Sequence, residues 1–220
     1  MNHKHTTDQP RFIILAGVNG SGKSTLYDMY LKLDNLDFIN ADIIASQLSL
    51  PKDSLEASFK AGRIAIKQIN QYLANKKSFI YETTLSGFLP LKLMAQAKEK
   101  GFYVDIIYVA LESVELSLMR VKGRVKKGGH NIPEDVILRR YDKSFENLPK
   151  AMVLADSVSI YDNSFNNHEL LYILENNYVI KSPSNEKTPY WLELILNKYQ
   201  ELIRERDARE NHLDDKTLEL

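Results

Sequence analysis

Two hydrophobic periods alternate along the chain. Short apolar runs are separated by longer stretches in which apolar residues recur at helical spacing. The runs read as strands and the stretches as helices. A first strand is expected over 11–16 and a helix over 23–33. A second strand over 37–42 ends in Asn40-Ala41-Asp42, and a short helix over 43–48 breaks before Pro51. The spacing predicts a long helix over 54–75, with Leu55, Phe59, Ile64, Ile66, Ile69, Tyr72 and Leu73 as its apolar stripe. A third strand is expected over 78–83, then a helix over 89–100 closed by Gly101. The run 102–111 is nearly continuously apolar, as suits a strand buried on both faces of a parallel sheet. A helix over 113–127 ends at Gly128-Gly129. Pro133, Glu134 and Asp135 open another, expected to reach about Asn147. A short helix over 149–155 and a strand over 157–162 follow. Asn176-Asn177 between apolar runs at 169–175 and 178–181 predicts a hairpin. An amphipathic helix over 190–209 carries Trp191, Leu194, Ile195, Leu196, Leu202 and Ile203, and 212–220 is expected to fray.

Alternating strands and helices specify an α/β fold with a mainly parallel sheet and helices on both faces. In such sheets ligands bind beyond the carboxyl ends of the strands. The expected division is a polar, disordered tail over 1–10, a core over 11–165, and a C-terminal hairpin plus helix over 166–220 packed on the core.

The turn after the first strand carries the strongest motif. Gly17-Val18-Asn19-Gly20-Ser21-Gly22-Lys23-Ser24-Thr25 matches G-x-x-x-x-G-K-[ST], between a strand and a helix as the phosphate-binding loop requires. Its glycines let successive N–H groups face phosphate oxygens, and the helix adds its positive end. Lys23 is placed for the β- and γ-phosphates and the Ser24 hydroxyl for Mg²⁺. Gly17, Asn19, Gly20, Ser21, Gly22, Lys23, Ser24 and Thr25 therefore form the expected nucleotide cradle.

Composition narrows the partners. The 220 residues are 44% hydrophobic and 26% charged, an ordinary globular balance. Twenty-nine basic residues offset 29 acidic ones, which disfavours a general nucleic-acid binder. Without cysteine there is no disulfide, cysteine nucleophile or thiolate metal site. The N-terminus has no apolar core of signal-peptide type, and no run is long enough for a membrane span, so a cytoplasmic protein is expected.

Other strand tips offer further chemistry. Asp42 is placed to accept or orient the proton of an attacking hydroxyl, or else to cap the helix that follows. Glu82 fits a water-mediated Mg²⁺ contact or a substrate hydroxyl. Thr83 and Thr84 fit substrate, or a turn. Arg120 and Arg124 share a helix face, as do Arg139 and Lys143 on the next helix. The two basic helices, joined through Gly128-Gly129-His130, read as a lid at about 120–147 that neutralises a transferring phosphoryl group. The bland alternative is a solvated charged face. His130 reads as a structural or substrate contact. Leu85-Ser86-Gly87 lacks the continuation and position of a transporter-type ATPase signature, and no apolar strand ends in Asp-Glu, so that class is rejected.

An ordered set of segments resembles the bacterial zeta toxin family, in its small stand-alone branch. These are 17–25, Phe38 to Ala45, Ala61-Gly62-Arg63, Glu82 to Gly87, Gly128 to Ile137, Arg139-Arg140-Tyr141 and Tyr161 to Ser164. The resemblance implies a three-layer P-loop kinase fold, with ATP and Mg²⁺ as cofactors. It implies transfer of the γ-phosphate to a UDP-sugar-like or other small hydroxyl substrate, and an antitoxin as a separate chain. By resemblance Lys23 holds phosphate and Ser24 ligates Mg²⁺. Asp42 activates the substrate, Glu82 belongs to the substrate site, and Arg63 lines that side. Arg120, Arg124, Arg139 and Arg140 are the lid arginines from which γ-phosphate contacts are drawn. Val18 replaces the proline of many relatives, and the Gly-Gly-His-Asn-Ile-Pro segment departs from the UDP-sugar kinases. Two alternatives stay open: a regulatory nucleotide-binding ATPase acting through protein contacts, and a nucleic-acid end kinase.

Overall fold

β1 (Arg11–Gly17) sits at the centre of the molecule and sets its frame. In the computed structural model, residues 9–50, 54–129, 131–165, 167–184 and 187–218 are described. Seven strands form one sheet in the order β2-β3-β1-β4-β5-β6-β7. The others are β2 (Asp37–Ile39), β3 (Phe79–Thr83), β4 (Tyr103–Ala110), β5 (Ser157–Asp162), β6 (Glu169–Glu175) and β7 (Tyr178–Lys181). The first five run parallel, β6 runs antiparallel to β5, and β7 runs antiparallel to β6. β1 pairs with β3 on one side and β4 on the other, so the chain reverses direction across the sheet at the carboxyl end of β1. That point is where an open α/β sheet leaves a crevice.

Alternation along β1 feeds two cores. Phe12, Ile14 and Ala16 face a large core. Helices α3 (Leu55–Ala74), α4 (Leu89–Glu99), α6 (Glu134–Leu154) and α7 (Tyr190–Leu218) complete it. Ile13 and Leu15 face a smaller core. It is closed by α1 (Lys23–Leu26), which continues as a π turn over Tyr27–Leu31 and a 3₁₀ turn over Lys32–Asp34. β4, expected to be buried on both faces, is buried at every position but Ile107. α2 (Ala41–Ser46) follows β2, and α5 (Val114–Lys126) precedes α6. A third small cluster of Val121, Ile132 and Ile137 holds α5, α6 and their connection together.

Several expectations are corrected. Leu55 and Phe59 are exposed, at 78% and 72%. The buried stripe of α3 is Ala57, Ala61, Ala65, Ile69 and Leu73, whose small residues bring the helix close to its neighbours. Pro149 does not divide two helices but lies inside α6. It is buried where α6 packs on the large core, and burial there outweighs the lost helix hydrogen bond. Strand two ends at Ile39, because Asn40 already caps α2. α7 runs past Arg209 to Leu218. The hairpin turns through Asn176 and Asn177, both left-handed at φ 49° and 67°, as a two-residue primed turn demands. It extends the sheet edge through β5–β6 pairing. Among the described residues no helix is long and apolar enough to cross a membrane.

Candidate active site

The phosphate loop leaves β1 with Gly20 at φ 74° and Gly22 at φ 91°. α5 packs directly on it. A Cβ added at Gly20 would lie 3.2 Å from Arg120 Cβ and from the Ser117 carbonyl oxygen. The Ser117 hydroxyl donates to the Asn19 carbonyl at 2.5 Å. Ser21 is fully buried, and its hydroxyl has no partner among the described residues. A buried donor of this kind suits a phosphate oxygen.

Lys23 points back into the loop. Its Nζ donates to the Gly17 and Val18 carbonyls at 2.9 and 3.1 Å and lies 3.8 Å from Glu82 Oε1. Burial holds Lys23 below the usual lysine value, against the opposing pull of Glu82 and then Asp42, while Arg124 and Arg140 push it further down. Burial raises Glu82 above the usual carboxylate value, and Lys23 opposes. Arg140 is likewise lowered by burial and supported by Asp42. Lys23, Asp42 and Glu82 thus lie at the carboxyl ends of β1, β2 and β3, within the electrostatic reach of Arg124 on α5 and Arg140 on α6, as one charged cluster.

Asn40 is the residue that sequence reasoning left without a role. Its Oδ1 accepts from the Asp42 and Ile43 amides at 2.7 and 3.1 Å, so Asn40 is the cap of α2 and Asp42 is not. The Asp42 carboxylate is thereby free for other work. Asn40 Nδ2 then donates to Glu82 Oε2 at 2.5 Å. The two cap bonds fix which end of the amide faces Glu82, so one side chain holds the backbone at Asp42 and the carboxylate of Glu82. The signal was present, since Asn-x-Asp before an apolar stretch is cap chemistry; only the contact with Glu82 required the sheet. Asn40→Ala is expected to lower stability by about 1 kcal/mol, the usual loss of a cap. Asn40→Asp keeps the cap but sets a carboxylate against Glu82. It is expected to lower transfer activity more than stability, as thermal denaturation read beside turnover will check.

The remaining candidates divide. Thr83 Oγ1 accepts from the Leu85 amide at 3.1 Å, and the Thr84 and Ser86 hydroxyls lie 2.8 Å apart, so both threonines build the turn after β3. Buried Asn147 of α6 donates to the Leu85 carbonyl at 2.9 Å and ties that turn to α6. Tyr141 anchors the same helix by donating to the Leu111 carbonyl at 2.8 Å and stacking on Phe145. Arg120 Nη2 turns to the Ser164 and Phe165 carbonyls at 3.3 and 3.4 Å, away from the charged cluster. Arg120, Gly123, Arg124, Lys127 and Gly129 line a cavity of about 470 Å³. Arg139 is exposed. Arg63 is exposed on α3, and no contact among the described residues joins it to the cluster. Ser24 and Thr25 are exposed at the first turn of α1. His130 lies outside the described residues. Among them, no group of three or more His, Asp or Glu could hold a metal by itself.

Comparison with known proteins bears on the family and the fold. The profile of the zeta toxin family matches residues 1–173. An uncharacterised protein of Haemophilus influenzae is 41% identical over 133 residues, 60% of this chain and 94% of its own length. Among solved structures, one from the PezAT chromosomal toxin–antitoxin system of Streptococcus pneumoniae superposes with a TM-score of 0.62 at 21% identity. That match covers 91% of this chain and 90% of the other. The AvrRxo1-ORF1:-ORF2 complex with ATP superposes at 0.61 and 16% identity, over 87% of this chain and 64% of that one. At such identities the likeness concerns the fold.

Proposed function

Because the chain belongs to the zeta toxin family and is a P-loop phosphotransferase by fold, we propose that it is an ATP-dependent kinase. Its acceptor is a hydroxyl of a small substrate, UDP-sugar-like or other. The observation that carries this reading is buried Lys23 of the phosphate loop facing Glu82 at 3.8 Å, within the electrostatic reach of Asp42, Arg124 and Arg140.

The loop fits a triphosphate: its glycines turn the backbone inward, and the buried Ser21 hydroxyl has no other partner among the described residues. Bound ATP with Mg²⁺ would supply the phosphoryl group and a cation that neutralises its charge. Ser24, at the first turn of α1, and Glu82 are the residues that would hold Mg²⁺. Lys23 leaves the Gly17 and Val18 carbonyls for phosphate oxygens, a better partner for a desolvated cation. Asp42, free of cap duty, accepts the proton of the substrate hydroxyl. Arg124 from α5 and Arg140 from α6 neutralise charge on the transferring group.

The four lid arginines separate on this basis. Arg124→Ala and Arg140→Ala are each expected to lower kcat by about 10²–10³, the usual loss of a preorganised charge partner. Arg120→Ala and Arg139→Ala are expected to stay within about tenfold of wild type. Steady-state kinetics of the four variants checks the assignment.

The toxin–antitoxin system named for the PezAT structure supports a cognate antitoxin as a separate chain. The deciding experiment offers γ-labelled ATP and Mg²⁺ with UDP-sugars, nucleosides, short RNAs and a small-molecule extract, with Lys23→Ala as control. Label on a small hydroxyl compound supports the kinase. Label on RNA ends moves the acceptor to nucleic acid. Tight ATP binding without any labelled product overturns the kinase reading.

A further inference from the structure

We infer that Asn163 and His168 are positioning residues that set the direction of the amides with which the phosphate loop grips its ligand. The inference rests on the triphosphate reading of the loop and goes beyond it to residues of the β5–β6 connection. Neither belongs to the loop motif.

A phosphate loop works by turning N–H groups inward. Each peptide unit is planar, so an inward N–H requires an outward C=O on the same unit. Outward carbonyls in a tightly packed loop need donors of their own. Asn163 Nδ2 donates to the Ser21 carbonyl at 2.8 Å. That bond fixes the peptide unit that carries the Gly22 N–H. His168 Nε2 lies 3.1 Å from the Gly22 carbonyl, which makes Nε2–H the donor. That bond fixes the unit carrying the Lys23 N–H. The Gly22 carbonyl also accepts from the Leu26 amide at 3.0 Å, so His168 steadies the first turn of α1 as well. Two consecutive outward carbonyls are held by two side chains from one short connection.

The packing agrees. A Cβ at Gly22 would lie 2.5 Å from Asn163 Nδ2 and 3.0 Å from His168 Nε2. Gly22 is thus required twice, by its φ of 91° and by the clamp closing over it. The clamp has a firm base. The Asn163 amide donates to the Ala110 carbonyl at 3.1 Å, prolonging the β4–β5 pairing. Next to it the Ser164 amide and hydroxyl both donate to Asp162 Oδ1, and the Glu112 amide donates to the Ser164 hydroxyl at 2.8 Å. On the opposite flank Ser117 of α5 holds the Asn19 carbonyl in the same manner.

The test is direct titration of Mg-ATP into the full-length protein by calorimetry, with melting of the ligand-free protein alongside. Asn163→Ala and His168→Ala are each expected to weaken ATP binding about tenfold, equivalent to ~1.4 kcal/mol. His168→Gln places an amide Nε2 where the imidazole Nε2 stands and is expected to stay within about threefold of wild type. His168→Leu, which fills the space without a donor, is expected to bind as weakly as His168→Ala, a difference from His168→Gln that a purely space-filling role would not produce. If His168→Ala melts far below wild type, the comparison of His168→Gln with wild type and with His168→Asn, whose shorter amide cannot reach, decides in its place. Wild-type affinity in both alanine variants would overturn the inference and leave the triphosphate reading standing. Equal weakening in His168→Gln and His168→Ala would overturn it too. Failure of the wild type itself to bind Mg-ATP, with Lys23→Ala no different, would sink the triphosphate reading and the inference with it.

Discussion

Lys23→Met is expected to lower phosphoryl transfer by roughly a thousandfold or more, while the ligand-free protein melts no lower than wild type. The loss follows from removing the cation nearest the transferring phosphates, where a preorganised charge contributes most. The stability half of the expectation comes from burial. The Lys23 side chain is 8% exposed, and its pKa lies below the ordinary lysine value because desolvation outweighs Glu82. Between that lowered value and 10.5 the unfolded chain binds more protons than the folded one, so wild-type stability rises with pH across this window. At neutral pH the buried charge therefore costs stability. Methionine keeps the length of the stem and removes the charge. Glu82 retains the Asn40 donor and, with its raised pKa, takes up a proton more readily than an ordinary carboxylate. Melting curves of both proteins from neutral pH towards 10 should converge as pH rises. A variant melting more than about 3 °C below wild type, on the order of 1 kcal/mol for a chain of this size, would mean that the bonds to Gly17 and Val18 outweigh desolvation.

Asp42→Asn is expected to lower kcat by about 10²–10⁴, the range for a general base, with ATP affinity and melting temperature nearly unchanged. The substitution is close to isosteric, and the cap of α2 is made by Asn40. Asp42 is exposed, so its replacement leaves no cavity. Asp42 also supports the charged form of its neighbour Arg140. A double-mutant cycle with Arg140→Ala separates the two roles: additive losses give Asp42 a role of its own, whereas no further loss in the double variant would mean that it acts through Arg140. Transfer at the wild-type rate would assign the proton to another group, Glu82 first.

Much of the site was legible because it is local. The loop from Gly17 to Thr25, the strand before it and the helix after it are nine residues and their flanks, and each feature follows from near-neighbour chemistry. The tip residues Asp42 and Glu82 were found because parallel sheets bring their carboxyl ends together. Arg120, Arg124, Arg139 and Arg140 are legible only as a group, since spacing along α5 and α6 shows which residues share a face. Spacing does not show which face meets the loop. Arg120 contacts the loop with its stem and turns its guanidinium to the Ser164 and Phe165 carbonyls, while Arg124, one turn on, joins the charged cluster. The α3 stripe failed for a related reason. Leu55 and Phe59 have the hydrophobicity of a core face, but close packing of α3 is made by alanines, whose small size carries little weight in a hydrophobic pattern.

The sequence by itself determined the strands, most helices, the primed turn at Asn176-Asn177 and the phosphate loop, because each depends on residues within a few positions of one another. Tertiary structure alone decided the partners of buried polar groups. Asn40 meets Glu82 across 42 residues, Asn147 meets Leu85 across 62, and Asn163 and His168 meet the loop across 142 and 146. A hydrogen bond fixes distance and direction to a fraction of an ångström, and no pattern of residue types along a chain carries that information.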